Sequence, residues 1–434
     1  MKKIETEVLV IGAGLAGASA ALSAKAAGKK VLVLGRESGA SAMSSGAIDI
    51  ASDPKPIPGH PQKWSADLCQ NIEELLARSP EHPYHLVSES PAEIVNQLSK
   101  SLALVFPAQD GFLTGSEKNT QLVFNQLGSF KQTAFTQSKM LTLNDLCETG
   151  SALVLGFSGL TDFDPQFFAK NLRHWSEQLG ARAKLGISEV ATDGLENKSS
   201  LEFSKWVEEH TQQFLEKAAR AVKAGNASLV ILPPVIPGAK RGEILDGLEK
   251  TCAVKARELL ALPPSVPGKR LAHYLEQRLA QQGVERVPGK ALGFEAEGKK
   301  VISVMAESGL EKIAISARSF VLAAGSFLAG GIAKDDEFKE PVFGLEVFCG
   351  SEPLGKIFTE KLTAMKLANP HPLFSVGLKA DRDLRVINRD GKKSFENLFA
   401  AGAILAGGNY IFNGAGGGTS LATGFSAGLV AKSI

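Results

Sequence analysis

The chain has 434 residues, of which 44% are hydrophobic and 22% are charged, and its 48 basic residues nearly balance its 46 acidic residues. This apolar content excludes a disordered chain, and a formal net charge of +2 gives no long-range field for nucleic acid. The length favours two lobes over one simple core, and the four scattered cysteines, none in a C-x-x-C pair, give no zinc or iron–sulfur spacing.

A strand, a tight turn and a helix are predicted at the start of the chain. Residues 8–11 are a short aliphatic run, typical of a strand buried on both faces of a parallel sheet. Three glycines with the spacing G-x-G-x-x-G follow, and an alanine-rich segment favours a helix. Such glycines permit the turn, let a pyrophosphate approach the backbone and let the helix pack on the sheet. The helix N-terminus then favours a dinucleotide. The predicted contacts are Gly12, Gly14, Leu15, Ala16 and Gly17.

A secretory signal peptide is the competing interpretation of this stretch, because Lys2 and Lys3 precede apolar residues. Glu5 and Glu7 break the charge pattern of such a peptide, which would also leave the glycine spacing unexplained. The stretch falls short of the ~20 apolar residues that a membrane span needs. Cysteines at scattered positions favour a reduced intracellular protein without a metal site. We therefore expect a cytoplasmic location.

Residues 29–34 supply a second strand, which completes a β-α-β unit. In the usual dinucleotide fingerprint an acidic side chain ends this strand and binds the ribose, but here Gly35 occupies that place. Arg36 and Glu37 follow as the predicted ribose contacts. Either Glu37 reaches the ribose after a shifted turn, or backbone groups alone hold the adenosine. Arg36 either binds a 2′-phosphate on the ribose or is a solvent-exposed cation in the loop.

Residues 41–50 are small and hydroxylated and show no periodicity, which predicts a loop that passes close to a ligand. The predicted contacts in this loop are Ser44, Ser45 and Gly46, whose small side chains let backbone donors approach. An ordinary serine-rich connection is the alternative.

The middle of the chain, residues 91–265, has its own alternation of strands and helices. Aliphatic runs predict buried strands over 152–155 and 228–232, and Asp164-Pro165 is a favourable start for a helix. Apolar spacing over 200–222 predicts one long amphipathic helix. These elements together indicate a second α/β lobe.

Four polar side chains are predicted to contact a substrate: Lys269, Arg270, His85 and His371. Lys269 and Arg270 follow a proline-rich turn, where they either bind a phosphate or carboxylate or are solvated. His85 and His371 are the candidates for a base that removes a hydroxyl proton, and each also has a purely structural interpretation.

Two segments near the C-terminus are predicted to close over the same ligand. Residues 312–325 end in a buried strand and a glycine, so this backbone would lie over the nucleotide. A further strand over 397–403 precedes a helix that opens with three glycines. The N-terminus of that helix favours a ligand that gathers negative charge, as a reduced flavin does at N1 and the adjacent carbonyl. The predicted contacts are Ala324, Gly325, Gly402, Gly416, Gly417 and Gly418.

The chain resembles one flavoprotein family along nearly its whole length. Its paired glycine-rich ends, joined by residues 321–325, are similar to the group that includes the flavoprotein subunits of succinate dehydrogenase and fumarate reductase. Within that group the chain resembles the B subunits of anaerobic glycerol-3-phosphate dehydrogenases. The segments that carry this resemblance are 44–49 (Ser-Ser-Gly-Ala-Ile-Asp), 82–84 (His-Pro-Tyr), 156–163 (Gly-Phe-Ser-Gly-Leu-Thr-Asp-Phe), 262–266 (Leu-Pro-Pro-Ser-Val) and 322–327 (Leu-Ala-Ala-Gly-Ser-Phe).

The resemblance implies an α/β fold in which a Rossmann-like FAD-binding domain, residues 1–90 and 266–434, carries an inserted α/β lobe, residues 91–265. It also implies a non-covalent flavin, FAD from the fold and FMN from the usual description of the family. Two positions depart from the flavoprotein pattern. Gly35 replaces the acidic strand end, and Ala403 follows Gly402 where many flavoproteins have Asp. Both departures concern how an adenine dinucleotide is held.

The implied activity is that of a quinone-linked, flavin-dependent dehydrogenase that takes part in oxidising sn-glycerol 3-phosphate to dihydroxyacetone phosphate. Hydride would go to flavin N5, a histidine would take the hydroxyl proton, and Lys269 or Arg270 would hold the phosphate. The implied partners are a flavin-bearing A subunit and an iron–sulfur C subunit, with which the complex docks peripherally at the inner membrane and reduces quinone. Two alternatives are open: a non-catalytic flavin-relay or assembly subunit, and a fumarate-reductase-like enzyme on another substrate.

Overall fold

The computed structural model of the chain describes residues 2–35, 39–52, 65–192, 194–355, 359–366 and 369–431. Arg36 and Glu37, the predicted ribose contacts, lie outside the described residues. Within these ranges no helix is both long and apolar enough to cross a membrane. The α-helices are α1 (Leu15–Ala26), α2 (Leu68–Arg78), α3 (Tyr84–Val87), α4 (Pro91–Val105), α5 (Leu143–Cys147), α6 (Pro165–Gln178), α7 (Ser200–Glu209), α8 (Thr211–Gly225), α9 (Arg241–Cys252), α10 (Val266–Gln281), α11 (Tyr410–Asn413) and α12 (Gly416–Ala431).

The β-strands are β1 (Lys2–Glu5), β2 (Val8–Ile11), β3 (Val31–Gly35), β4 (Ala47–Ile48), β5 (Leu113–Gly115), β6 (Gln121–Phe124), β7 (Phe130–Thr133), β8 (Phe135–Gln137), β9 (Ser151–Phe157), β10 (Lys184–Val190), β11 (Leu229–Leu232), β12 (Lys255–Glu258), β13 (Glu285–Pro288), β14 (Lys290–Glu297), β15 (Lys300–Ser308), β16 (Glu311–Ser316), β17 (Ser319–Leu322), β18 (Ala333–Lys334), β19 (Phe338–Lys339), β20 (Phe348–Cys349), β21 (Glu352–Pro353), β22 (Val376–Gly377), β23 (Lys379–Ala380), β24 (Val386–Ile387) and β25 (Leu398–Ala400).

The first lobe is built on a five-stranded parallel sheet with the strand order β13-β3-β2-β17-β25. In its register Val10 on β2 lies between Val33 on β3 and Val321 on β17. The side chains of these three strands are buried throughout, as expected for a parallel sheet that is covered on both faces. β2, α1 and β3 form the predicted β-α-β unit, whereas β17 and β25 come from the other end of the chain. The predicted Rossmann-like α/β domain is confirmed.

A second sheet of the first lobe has the strand order β1-β16-β15-β14. β1 pairs with β16 in parallel, and the remaining pairs are antiparallel. Its buried side chains, among them Val304 and Ile315, belong to the same hydrophobic core as the parallel sheet. The two sheets therefore form one lobe.

The other lobe has its own parallel sheet, with the strand order β10-β9-β11-β12. Val154 on the central strand β9 pairs with Ile187 on β10 and with Ile231 on β11. A separate hydrophobic core, with buried members from Phe124 to Leu259, surrounds this sheet. The predicted second α/β lobe therefore has a sheet and a core of its own.

Two helices in this lobe test the sequence predictions directly. Asp164 accepts hydrogen bonds from the N–H groups of residues 166 and 167, and Pro165 is the first helical residue, so the predicted start of α6 is confirmed. The prediction of one long helix over 200–222 is wrong, because α7 and α8 are separated at His210. The backbone of His210 leaves the helical region (φ −122°, ψ 37°), and its ring stacks on Trp206. Apolar spacing does not reveal this break, since it continues on both sides.

Helix α4 belongs by sequence to the predicted inserted lobe, which begins at residue 91, but it packs in the first lobe. Its buried side chains, including Ile94 and Leu98, belong to the core of the five-stranded sheet. The hydroxyl groups of Ser101 on α4 and Ser19 on α1 are hydrogen-bonded at 2.7 Å. The second core begins only at Phe124. An amphipathic pattern shows that one face of a helix is buried, but it does not show which sheet that face covers.

Helices α1 and α12 join the two ends of the chain through unusually close backbone packing. A Cβ atom at Gly428 on α12 would lie 2.3 Å from the carbonyl oxygen of Ala20 on α1, and Gly424 has the same relation to α1 one turn earlier. The Ser23 hydroxyl donates a hydrogen bond to the carbonyl oxygen of Phe425 at 2.9 Å. Only glycine leaves room for this approach, because a real Cβ atom does not come within 3 Å of a carbonyl oxygen.

We expect Gly428→Ala to lower the free energy of unfolding by roughly 1–3 kcal/mol, because the added methyl group forces the two helices apart. Gly247→Ala is the matched control, since its Cβ would lie 3.4 Å from Leu215 in ordinary contact and the change raises helix propensity. Denaturant unfolding followed by circular dichroism measures both. Equal stabilities of the two variants would contradict this account of the α1–α12 contact.

Candidate functional site

A cavity of about 420 Å³ opens at the carboxyl ends of β2, β3 and β17. This is the edge at which doubly wound sheets bind ligands, and the volume lies within the roughly 300–1,000 Å³ typical of ligand pockets. Its wall includes residues 11–16, 34–35, 39–41, 289–291 and 323–325, together with Ala403 and Ser420 from the C-terminal segment. Both ends of the chain therefore contribute to one cavity.

The glycine-rich turn after β2 forms one side of this cavity. Gly12 has a φ of +118°, and a Cβ atom there would lie 2.1 Å from the carbonyl oxygen of Ala323, so no other residue fits. Gly14 faces the cavity, and its missing side chain leaves only the Ser41 hydroxyl within 4 Å, at 3.2 Å. Gly17 lies behind the wall, where a Cβ atom would be 1.8 Å from the carbonyl oxygen of Gly12. Gly17 thus permits the turn, and Gly14 permits close approach of a ligand.

Ser41 is a wall residue that the sequence prediction missed. Its hydroxyl oxygen accepts a hydrogen bond from the N–H group of Leu15 at 3.1 Å, at the first residue of α1. Gly14, the N-cap of α1, has no side chain with which to cap the helix. The positive end of the helix dipole therefore faces the cavity with Ser41 beside it. The small, hydroxylated composition of residues 41–50 was the available signal, but it did not single out this serine.

The segment 44–46 is predicted to contact the ligand. In the structure its carbonyl oxygens are hydrogen-bonded to residues at the junction with the second lobe. The carbonyl oxygen of Ser44 accepts a hydrogen bond from the Ser265 hydroxyl. The carbonyl oxygens of Ser45 and Gly46 accept hydrogen bonds from the N–H groups of residues 261 and 137. The described cavity wall contains residues 39–41 of this loop instead. A flavin contact of residues 44–46 remains a prediction.

The glycine at the end of β3 has a steric explanation. A Cβ atom at Gly35 would lie 2.8 Å from the backbone nitrogen of Ala13 in the glycine-rich turn, so the usual acidic side chain has no room there. Both residues line the cavity, and Lys290 on the neighbouring segment adds a cation to the wall. Lys290 is a second residue that the sequence prediction missed, because a lysine at the start of a strand carries no distinctive pattern.

The strand ends β17 and β25 supply another side of the cavity. Ala324 and Gly325 line it, and Gly325 has a φ of +73°, while their contact with a flavin remains a prediction. Gly402 lies beside the cavity, because a Cβ atom at this position would be 2.5 Å from the Cβ of Ala16, which lines the cavity. The adjoining Ala403 lines the cavity, and its carbonyl oxygen accepts a hydrogen bond from the Tyr410 hydroxyl at 2.6 Å.

The glycine triplet that opens α12 packs against the chain rather than lining the cavity. A Cβ atom at Gly417 would lie 2.8 Å from Ile48, and one at Gly418 would lie 2.0 Å from the Tyr84 hydroxyl. The N–H group of Gly418 donates to the carbonyl oxygen of Asp49 at 2.7 Å. The helix reaches the cavity one turn later, at Ser420. Roles for Gly416, Gly417 and Gly418 in holding a ligand remain predictions.

The histidine-proline-tyrosine segment, residues 82–84, completes the packing around the start of α12. The Tyr84 hydroxyl donates to the carbonyl oxygen of Ile50 at 2.7 Å, and burial raises the pKa of Tyr84. Burial lowers the pKa of His82 to about 3, so its ring is neutral, and Nδ1 accepts the Tyr84 N–H at 3.2 Å. This segment therefore has a structural role.

Arg270 and Lys269, predicted to hold a substrate phosphate, lie outside the glycine-lined cavity. Arg270 is 6% exposed and forms a two-point ion pair with the fully buried Glu258, at 2.9 Å and 2.8 Å. Its Nε also donates to the side-chain oxygen of Gln137 at 2.8 Å. Lys269 is exposed on α10. Arg270 is thus committed to a buried carboxylate, which the sequence did not indicate because the partner lies on a different element.

The two candidate bases lie in different surroundings. His85 Nδ1 is 2.6 Å from a carboxylate oxygen of Glu89, and this hydrogen bond lowers the pKa of Glu89. The buried Nε2 of His85 has no hydrogen-bond partner among the described residues, and the ring lines a smaller cavity beside Gly407. Nδ1 of His371 accepts the N–H of Ala364 at 3.0 Å. The structure does not bring either histidine into the wall of the glycine-lined cavity.

The cavity wall fits the phosphates of a dinucleotide. Helix α1 points its N-terminus at it, Gly14 leaves the backbone accessible, and Lys290 adds positive charge. The described wall contains no acidic side chain that would repel an anion. A parallel sheet with this edge and this cavity defines a dinucleotide-binding protein.

Comparisons with known proteins agree with this class. The chain matches the FAD binding domain family over residues 7–421. The B subunit of anaerobic glycerol-3-phosphate dehydrogenase from Actinobacillus pleuropneumoniae serotype 5b (strain L20) is 30% identical over 430 residues, 96% of each chain. The protein of the same name from Mannheimia succiniciproducens is 27% identical over 429 residues, again 96% of each. The crystal structure of 3-ketosteroid delta1-dehydrogenase from Sterolibacterium denitrificans is similar at 14% identity and a TM-score of 0.44, covering 99% of this chain and 100% of that one.

The fold, the cavity and the family match define a flavin-dependent oxidoreductase with flavin as its cofactor. The chain belongs to the FAD binding domain family and, within it, to the family of anaerobic glycerol-3-phosphate dehydrogenase B subunits.

We expect Gly14→Val to lower flavin affinity about tenfold or more, which corresponds to about 1.4 kcal/mol or more, because the side chain blocks the approach to the α1 N-terminus. Gly293→Val is the matched control, since position 293 lies in a strand with nothing within 4 Å of a Cβ atom. The flavin released on denaturation is quantified by absorbance and identified as FAD or FMN by mass spectrometry. Equal flavin content in both variants would argue against this cavity as the cofactor site.

Proposed function

We propose that this chain is the flavoprotein B subunit of a quinone-linked glycerol-3-phosphate dehydrogenase and takes part in oxidising sn-glycerol 3-phosphate to dihydroxyacetone phosphate. The observation that carries the proposal is the 30% identity to the Actinobacillus pleuropneumoniae B subunit over 96% of both chains. The glycine-lined cavity supports it, since the oxidation needs a bound two-electron acceptor. The same relatives give no support to a relay or assembly subunit, or to a fumarate-reductase-like enzyme.

The residues of the cavity account for cofactor binding. When bound, the flavin supplies the acceptor for the hydride that leaves the alcohol carbon of the substrate. N–H groups at the start of α1 and the hydroxyl of Ser41 hold the phosphates, and Lys290 adds a compensating charge. FAD fits this turn better than FMN does, because the G-x-G-x-x-G spacing binds a pyrophosphate, which FAD has and FMN lacks. The small residues Ala324 and Gly325 leave room along the strand ends.

His85 is the stronger of the two candidates for the base that takes the hydroxyl proton. Glu89 holds Nδ1 at 2.6 Å, which leaves Nε2 as the nitrogen that receives a proton, and this role requires the substrate hydroxyl to reach the smaller cavity beside Gly407. A base oriented by a carboxylate is the usual arrangement in such reactions. His371 uses Nδ1 to accept a backbone N–H group, which suits a structural role.

We further propose that the chain works in a complex with a flavin-bearing A subunit and an iron–sulfur C subunit. The relatives are named as B subunits, which supports an assembly of more than one kind of chain. Electrons would leave the flavin for the iron–sulfur partner and then reach quinone. That partner would hold the complex at the inner membrane, which leaves this chain a peripheral component on the cytoplasmic side.

The purified holoprotein, alone or co-expressed with its A and C partners, is expected to reduce an artificial dye when it is given sn-glycerol 3-phosphate. Glycerol is the control substrate, because it has the same carbon skeleton without the phosphate. Absence of turnover both alone and with the partners would refute the proposed function. A flavin that is reduced by light but not by glycerol 3-phosphate in any of these preparations would identify a relay subunit.

His85→Gln is expected to lower kcat in this assay by about 10²–10⁴-fold, because it removes the proton acceptor. Thermal unfolding should be nearly unchanged, since the glutamine amide can still donate to Glu89. His371→Gln is the matched control and should retain activity. If both variants turn over like the wild type, the base lies elsewhere.

A further inference from the structure

A second cavity, of about 520 Å³, lies between the two lobes. One side is helix α10, with Arg270, His273 and Tyr274. The other side is the start of α9 in the second lobe, with Arg241 and Gly242. Neither the glycine motif nor the proposed flavin contacts extend into this cavity, so it has no role in the account given so far.

Two buried guanidinium groups share one buried carboxylate at its wall. Glu258 is fully buried and accepts two hydrogen bonds from Arg270, at 2.9 Å and 2.8 Å, and one from Nε of Arg241 at 3.1 Å. The side chains of Arg270 and Arg241 are 4% and 14% exposed. Two positive charges thus face one negative charge in a poorly hydrated place. An excess buried charge is costly unless it is compensated.

Both guanidinium groups also have N–H groups that donate to no acceptor among the described residues. Arg241 donates, besides its bond to Glu258, to the side chain and the carbonyl oxygen of Ser138. Arg270 donates, besides its two bonds to Glu258, to Gln137 and to the carbonyl oxygen of Ile236. Each guanidinium carries five N–H groups, so both retain N–H groups without an acceptor among the described residues. Burial and the neighbouring Arg270 lower the pKa of Arg241 to about 10, so it remains charged at neutral pH.

Helix α9 adds its N-terminus to the same wall. It has 12 residues and begins at Arg241, and its N-cap, Lys240, provides no side-chain hydrogen bond to the first turn. Gly242 lines the cavity, where a Cβ atom would have only a carboxylate oxygen of Asp246 within 4 Å, at 3.8 Å. The N–H group of Arg241 donates to the carbonyl oxygen of Gly238 in the preceding 3₁₀ turn, so the helix contributes its dipole, which favours a negative charge there, rather than this donor.

The remaining charged groups of the cavity lie at its rim and have partners. Asp246 accepts a hydrogen bond from Lys139, which also binds Glu249. Asp110 is exposed and accepts the Tyr274 hydroxyl at 2.6 Å. Apart from the buried Glu258, the carboxylates are therefore solvated at the entrance and screened, and the two guanidinium groups outnumber the one carboxylate in the deep part of the wall.

We propose that this cavity binds a phosphate group through the free N–H groups of the Arg241 guanidinium, with the dipole of α9 favouring the negative charge. A phosphate supplies the missing negative charge and matches the planar donor pairs of a guanidinium. Inorganic phosphate and the phosphate of a phosphomonoester share this chemistry. That the ester is sn-glycerol 3-phosphate rests on the proposed function, whereas the anion site itself does not.

Isothermal titration calorimetry on the full-length holoprotein tests the site with three probes: inorganic phosphate, sn-glycerol 3-phosphate and glycerol. The wild type is expected to bind both phosphates and not glycerol. Glycerol 3-phosphate that binds at least tenfold more tightly than inorganic phosphate identifies an ester site, and equal affinities identify a free-phosphate site. Both results support the proposal. If neither inorganic phosphate nor glycerol 3-phosphate binds, the proposal is overturned. Loss of dye reduction alone counts against the proposed function and not against the anion site.

The variant Arg241→Gln and a matched control test whether phosphate binds in this cavity. Arg241→Gln should weaken phosphate binding about tenfold or more, because it removes the excess charge. It should still fold, since the two-point pair of Glu258 with Arg270 remains. Lys240→Gln is the matched control: it removes a neighbouring positive charge that pairs with Glu243 at the surface, and binding should be unchanged.

Gly242→Glu is a second, independent variant. It places a carboxylate at the second residue of α9, where an acidic side chain stabilises a helix, and this internal anion should compete with phosphate. Binding should be lost while the thermal midpoint stays close to that of the wild type, because the gain in helix propensity over glycine offsets the repulsion from Asp246. Wild-type affinity in both Arg241→Gln and Gly242→Glu would refute the assignment of phosphate to this cavity.

Discussion

Contact between the first and last helices is the constraint on which this structure depends. Glycine 428 on α12 lets the backbones of α1 and α12 approach to a distance that a methyl group would prevent, and serine hydroxyls of α1 bond the carbonyl oxygens of α12. This approach holds the C-terminal segment beside the glycine-rich turn. Ala403 and Ser420 consequently share a cavity wall with residues from the beginning of the chain. Without it the glycine-lined cavity would lack one side.

The parts of this site that depend on local backbone geometry could be predicted from the sequence. The strand, turn and helix at 8–26 follow from an aliphatic run and a glycine spacing, and Gly12 and Gly14 lie where that spacing requires them. The strand ending at Ala324 and Gly325 follows from the same kind of pattern. In each case neighbouring residues determine the conformation, so a short stretch of sequence carries the information.

The parts that depend on distant partners could not be predicted. Arg270 has the sequence context of an anion-binding residue, but nothing in the neighbouring sequence shows that it pairs with the buried Glu258 on strand β12. Helix α4 has a clear amphipathic face, yet nothing in its own residues indicates that it covers the first core. Ser41 and Ser44 look alike in sequence, and only the tertiary packing puts the first in the cavity wall and the second at the lobe junction.

The loop that contains these two serines contacts both α1 and α10. Ser41 bonds the start of α1, whereas the backbone of Ala42 would lie only 2.3 Å from a Cβ atom on Gly268 of α10, two residues before Arg270. The loop that contributes Ser41 to the glycine-lined cavity therefore packs directly on α10, which contributes Arg270 to the arginine-lined cavity. Because Gly268 leaves no free space beside Ala42, a shift of α10 towards this loop would displace Ser41 and the start of α1, which form part of the wall of the glycine-lined cavity.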